Sequence, residues 1–564
     1  MQKGQNRQTV ANFYRLFLFL VSLVIGETTF FLLRYLAVKS ESGSSLLWGY
    51  SGARLAILAV LIFALLACIA LIVFLLRAKE RTQKLVARYL HREQLQEGLI
   101  WGFLFVFGFL LMLTSFDPES FARYQPHFEQ LRPLLVWMTL LSGQLVAFLL
   151  YAARQNFLTL TRKQIIFLAL SLLLVFVWFP LRTEMAGRPA ISWMTYYQPD
   201  DFSDASPGEI WAFFKEMRSG IPPLLSFLEI LNVKITGSTA IITNELYRLA
   251  LLVSYLLAMW LFSKKIVHGI ASFLLALVFI PATVFISAQN PEIYDVYFPA
   301  FFLLFLFFDR HARKADTGET FRMIAAFLSG LFLAFAELSR PFVLIFIPII
   351  LLSIYLAYRP LPKKRLIALL IPFLLLSGGW HAKLLAFNNG QVFWSNHSGF
   401  NFYRAWGDVI PMPELVDEPQ TWDDRVQIHT QEHYENSKRI QSAVVNYIIT
   451  HPRESLPRIA ERLGTFLRPR ISLFDQPEPD GFYAWTYRLT FYAAFSFFLI
   501  QLIRLVIGLT TKPSWSLVAD PEHILLVVIA GSILILALAE KGEEARLLLA
   551  VLPLLTALPR FENS

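Results

Sequence analysis

RLAILAVLIFALLACIALIVFLLR, Arg54 to Arg77, decides the class of this chain. Nothing charged lies between its two arginines, and a helix of that length rises about 33 Å at ~1.5 Å per residue, enough to cross the hydrocarbon core of a bilayer. A surface helix of a soluble domain keeps one polar face; this one is apolar all round, which suits lipid.

The rest of the chain repeats the pattern. With 56% of 564 residues hydrophobic and only 16% charged, apolar runs must dominate. They fall at 12–36, 54–77, 98–115, 133–153, 164–181, 244–263, 266–287, 294–309, 322–338, 341–358, 364–386, 487–508, 521–539 and 545–559, about fourteen spans in all. The expected fold is therefore an all-α polytopic membrane protein. The first run is too long for a signal-peptide core and lacks a small-residue cleavage site, so it reads as a span. Glu27 within it is either a paired buried acid or tilted toward an interface.

Cysteine and charge narrow the function classes. The lone cysteine, Cys68, lies inside the opening run, which excludes internal disulfides and a cysteine zinc cluster. The net charge of +9 sits mainly in short loops between spans, where it orients the protein in the bilayer rather than binding nucleic acid. The basic loops at 77–93, 154–163, 263–265, 309–314 and 358–365 all fall on one side if every run crosses once. That side is cytoplasmic, and both termini share it. Two long segments, 182–243 and 387–486, then lie outside, with two short external turns, AQNPEIYD (288–295) and EKGEEAR (540–546). Four regions follow: residues 1–163 with four spans, a 164–386 core carrying the first external loop, the 387–486 loop, and the 487–564 terminal spans.

The first external loop contains YYQPDDFSDASPGEIWAFFKEMRSGIPPLL, Tyr196 to Leu225. Ser206, Pro207 and Glu209 predict a helix start, with Ser206 as N-cap, Pro207 in the first turn and Glu209 closing a Ser-x-x-Glu capping box. The helix should run from Pro207 to Arg218, and a second amphipathic helix should follow Pro223. Both would lie along the membrane surface with Trp211, Phe213, Phe214, Leu224, Leu225 and Phe227 partly in lipid.

PDDF (199–202), the surface helix, GIPPLL (220–225) and LYRLALL (246–252) together resemble the first external loop of GT-C superfamily membrane glycosyltransferases. The likeness is strongest to bacterial relatives of protein O-mannosyltransferases and lipid A aminoarabinose transferases. ELSRPFVL (337–344) resembles the family's Arg-Pro turn. FNNGQVFWSNHSGFNFYRAW (387–406) resembles the opening of its large loop, and EARLLLAVLPLL (544–555) its last external turn and final span. The likeness covers Ile165 to Leu558 and leaves the first four spans as an addition. It departs at Ile221, where the family often has His, and at Leu547, where it commonly has Tyr.

The resemblance implies a GT-C-like core with two large external loops in a bacterial inner (plasma) membrane. It implies transfer of a sugar from a polyprenyl phosphate such as undecaprenyl phosphate to an acceptor at the outer face. Such chemistry needs a base, positive charge or a metal for the departing phosphate, and an apolar groove for the carrier. The resemblance assigns the base to Asp200 or Asp201, beside which Asp204 adds like charge; the plain alternative is a solvated acidic loop. Glu292 and Asp295 would orient the donor or hold a divalent cation, magnesium or manganese suiting an all-carboxylate site, or else favour a helix N-terminus. Arg340 suits bidentate contact with phosphate, against interfacial snorkelling or a salt bridge to Glu337. Lys383 and Arg546 are further phosphate candidates. His381, Asn401 and Tyr403 are candidate sugar or acceptor contacts, against an interfacial anchor for His381 and an aromatic-packed external cap for the other two.

The stretch 446–469 reads as two surface helices whose basic residues attract anionic headgroups. Glycine-rich nucleotide loops, Gly-x-Ser-x-Gly and His-Glu-x-x-His are missing from the sequence, which favours a lipid-linked over a nucleotide-linked donor. Two other classes fit a chain of this kind: a lipid-linked glycan flippase, which should carry deep intramembrane charges and repeats, and an O-antigen ligase or polymerase, which would not need the Asp pair. Sugar and acceptor (protein, lipid or glycan) stay open.

Overall fold

The computed structural model describes residues 2–37, 52–77, 102, 106–107, 110, 125–154, 162–181, 205–216, 223–224, 226–228, 230, 241–263, 265–289, 294–314, 318–357, 363–387, 402, 405–407, 409–410, 431–472, 481–511, 520–539 and 547–558. Every regular element among them is helical, and none is a strand. Among the described residues, seven helices are long and apolar enough to cross a membrane: Phe17–Leu36, Leu55–Arg77, Ile266–Ser287, Glu319–Ser339, Lys364–Ala386, Phe482–Thr511 and Pro521–Leu538. Leu134–Phe148, Lys163–Val175, Leu246–Leu261 and Ile347–Leu356 form shorter apolar helices. The run expected over 98–115 lies mostly outside the described residues. Phe63, in the middle of the opening run, is 75% exposed with no polar neighbour in sequence, as a lipid-facing side chain should be.

The chain divides into two compact units, residues 1–175 and 176–564. The first holds α1 (Gln2–Ala37), α2 (Gly52–Arg77), α3 (Gln125–Arg154) and most of α4 (Arg162–Leu181). Phe31 and Tyr35 of α1, Ile57, Leu58 and Leu61 of α2, and Trp137 of α3 form its core. Between apolar helices a polar pair adds cohesion of order 0.6 kcal/mol; here the Gln144 amide of α3 donates to the Glu27 carboxylate of α1. Glu27 is thus a paired acid.

The second unit contains α5 (Pro207–Glu216), α6 (Ile241–Leu261), α7 (Ile266–Gln289), α8 (Tyr297–Arg313), α9 (Glu319–Ser339), α10 (Ile347–Ala357), α11 (Lys363–Phe373) and α12 (Gly379–Phe387). It continues with α13 (Gln431–Thr450), α14 (Pro452–Phe466), α15 (Phe482–Thr511), α16 (Pro521–Ala539) and the short α17 (Leu552–Thr556). Helix α8 is central. Phe298, Phe302 and Phe305 on it are fully buried, and Phe301 and Phe308 stack on Phe332 of α9. Helices α6 and α7 are joined by the Tyr255–Thr283 hydroxyl contact at 3.0 Å and by Tyr247–Ser287. The final apolar run is not one unbroken helix among the described residues: residues 547–558 are all buried, and turns at 549–551 separate the helical residues 547–548 from Leu552–Thr556.

Two features set the ends of the bundle. A π-turn, Leu374–Gly378, joins α11 to α12 just after Pro372, which has no N–H for the α-helical ladder, and the added residue rotates everything that follows. Meanwhile the end of α8, the start of α9 and the start of α11 gather cations. Arg365 and Arg322 both meet Glu319, Arg313 pairs with Asp309, and Arg310 donates to the Leu261 carbonyl at the end of α6. The opposite end, where α8 and α10 begin and α9 and α12 finish, holds a different set of charges.

Candidate functional site

Helix α5 begins as its sequence dictates. The Ser206 backbone N–H donates to Glu209, the Glu209 N–H donates to Ser206 Oγ at 3.3 Å, and the Ile210 N–H bonds the Ser206 carbonyl at 3.1 Å. The helix is described from Pro207 to Glu216, and the last two residues of the expected element, Met217 and Arg218, lie outside the described residues. Ile210, Phe213 and Phe214 pack around Ile230 with Ala205, whereas Trp211 is 73% exposed. Helical residues recur at 223, 224, 226–228 and 230, and Phe227 is exposed, in keeping with an amphipathic pair.

Arg340 owes its position to Pro341. The residue before proline is excluded from the α region, so α9 ends there and Arg340 is extended (φ −144°, ψ 100°). Its backbone N–H still caps the helix through the carbonyls of Ala336 and Glu337, both at 3.1 Å. Its guanidinium forms an ion pair with Asp295, which lies in the 3₁₀ turn Tyr294–Val296 that opens α8 and is fully buried. An acid there also meets the positive end of the α8 dipole.

One turn back along α9, Glu337 is 1% exposed and takes Nε2 of His381 at 2.9 Å. His381 belongs to α12, and so does Lys383. The Lys383 ammonium lies 4.2 Å from the centre of the Trp380 ring and donates to the carbonyl of Phe214. That carbonyl is in the last turn of α5, where a cation is favoured by the unsatisfied carbonyls and the helix dipole. Lys383 thereby ties α5 to α12.

Four of the residues singled out in the sequence, Asp295, Arg340, His381 and Lys383, are thus gathered at one end of the second unit. Asp200, Asp201, Glu292, Asn401, Tyr403 and Arg546 lie outside the described residues. Glu337 entered the sequence reading only as a partner for Arg340, and the structure gives it to His381. Its signal was an acid in the last turn of an otherwise apolar helix, where both burial and the helix dipole oppose it. Among the described residues no group of three His, Cys, Asp or Glu side chains is arranged to hold a metal ion.

Residues near Trp406 and on α13 form a separate core cluster. Trp406, fully buried, donates from Nε1 to the Leu538 carbonyl of α16 at 3.1 Å, and Ile440 and Val444 of α13 pack against it. Arg462 and Arg458 of α14 both donate to the Ala405 carbonyl. Comparison of the chain with protein-family models, curated proteins and solved structures finds no match.

Proposed function

We propose that the protein is an integral-membrane glycosyltransferase of the GT-C type, which moves a sugar from a polyprenyl phosphate to an acceptor at the outer face of the membrane. The observation that carries this reading is a pair of buried contacts, the Asp295–Arg340 ion pair and the Glu337–His381 hydrogen bond, at the end of apolar helices beside Lys383. Ionisable groups at membrane depth are costly and are kept for function. The concentration of arginines at the other end of the same helices supports the assignment of that end to the cytoplasm, and with it about fourteen spans with both termini inside.

In this reading Asp200 or Asp201 accepts the proton of the acceptor nucleophile. The nucleophile attacks the anomeric carbon from the face opposite the phosphate, the bond from that carbon to the phosphate oxygen breaks, and its electron pair leaves with polyprenyl phosphate. The configuration inverts. Arg340, its fork oriented by Asp295, meets the charge growing on the phosphate, with Lys383 and Arg546 adding to the field. A divalent cation would draw on Asp200, Asp201 and Glu292. Asp295 fits such an ion poorly, because its carboxylate already faces a guanidinium. Asn401 and Tyr403, in the loop leading to Trp406, would contact sugar or acceptor. The test is transfer of radiolabelled sugar from a panel of synthetic polyprenyl-phosphate sugars by the purified protein. A flippase would instead move the lipid across vesicles without turnover.

A further inference from the structure

We infer that Glu337 and His381 form a recognition site for a sugar hydroxyl of the donor, with Glu337 as the positioning residue and Nδ1 of His381 accepting the hydroxyl proton in a hydrogen bond. The inference rests on the transferase reading and deepens it, by separating the sugar end of the site from the phosphate end.

Glu337 is placed where a carboxylate is disfavoured twice, by burial at 1% exposure and by the negative end of the α9 dipole. What offsets this is the His381 Nε2 contact at 2.9 Å. An ionised carboxylate only accepts hydrogen bonds, so Nε2 carries the proton, and in the neutral ring Nδ1 is then a bare lone pair. Nδ1 is buried and has no hydrogen-bond partner among the described residues. A lone pair held in that way attracts an O–H and repels a phosphate oxygen. The phosphate therefore belongs with Arg340 and Lys383, and a hydroxyl of the sugar belongs at His381. An analogue lacking that hydroxyl leaves a buried acceptor unmet, a loss of about 10- to 100-fold in kcat/KM.

The experiment uses the full chain in lipid nanodiscs and has two arms. In the first, ring nitrogens are read by ¹⁵N NMR of histidine-labelled protein, with His381→Phe identifying the signal. A protonated Nε2 and a bare Nδ1 are expected in the parent, retained in Glu337→Gln and scrambled in Glu337→Ala. A protonated Nδ1 in the parent overturns the proposal. In the second, polyprenyl-phosphate hexoses each lacking one hydroxyl are compared for kcat/KM. One deoxy position should be penalised 10- to 100-fold in the parent and in Glu337→Gln, and no position in His381→Phe. Equal penalties in the parent and His381→Phe overturn it. If no donor turns over, the transferase reading has failed. The same deoxy series, read as competition against fluorescent polyprenyl phosphate, still decides whether His381 senses a hydroxyl; affinities indifferent to every deoxy position overturn the inference by themselves.

Discussion

The guanidinium of Arg340 pairs with Asp295 across the gap between α9 and α8, although Glu337 lies one turn earlier on its own helix. Removing one partner of a buried pair leaves the other charged and unmet, a penalty of about 3–5 kcal/mol, whereas replacing both by apolar groups is often neutral. Asp295→Ala should therefore lower the unfolding midpoint in detergent far more than the double replacement Asp295→Leu with Arg340→Leu, although both abolish transfer. Equal midpoints for the two would show that the pair is not buried as a unit.

Helices α9 and α11 cross so closely that a Cβ on Gly330 would collide with the Leu369 backbone carbonyl. Backbone cannot yield as a side chain can, so Gly330→Ala should cost about 1–3 kcal/mol or more. Gly531→Ala meets the Phe346 ring, a side chain that can move, and should cost less. Gly26→Ala, in α1 with open space around it, should gain up to about 1 kcal/mol from helix propensity. Unfolding midpoints of the three variants check this order.

Ser206→Ala removes a capping oxygen and should loosen the first turn of α5 by about 1 kcal/mol. Lys383→Met should loosen its last turn by freeing the Phe214 carbonyl. Hydrogen exchange across residues 207–216 distinguishes the two, since the first variant speeds exchange at Glu209 and the second leaves it unchanged.

Tyr447 of α13 donates its hydroxyl to Glu454 of α14. That hydrogen bond, with a little desolvation and the repulsion between two anions, raises the phenol above its ordinary range. A raised group contributes its stability at pH below its unfolded value, and the contribution is lost as pH rises through the folded one. Ultraviolet titration should therefore show Tyr447 ionising later than an ordinary tyrosine, and Glu454→Gln should bring it back.

What the sequence disclosed was what is local. The run from Leu55 to Leu76 announced lipid because its composition alone excludes water, and Ser206 with Glu209 announced a helix start because both capping bonds span one turn. Arg340 was legible as a turn residue because proline constrains its predecessor. Its partner was not, because Asp295 and Glu337 are equally acidic in the sequence and only packing of α8 on α9 chooses between them. Glu337 and His381 meet because the π-turn after Pro372 sets the facing of α12, and nothing in Leu374–Gly378 marks that turn. The last apolar run has the composition of a span, but that composition did not tell that residues 547–558 would be covered on all sides by protein, since an apolar stretch satisfies protein neighbours as well as lipid.

The most direct measurement is sugar transfer from polyprenyl-phosphate donors by the purified protein beside the Asp200→Asn, Asp201→Asn double variant. Loss of the base predicts a fall of about 10²–10⁴-fold in turnover, with the variant still folding and still binding polyprenyl phosphate. Undiminished turnover in the double variant, or no turnover with any donor while the protein moves polyprenyl phosphate across vesicles, would contradict the account.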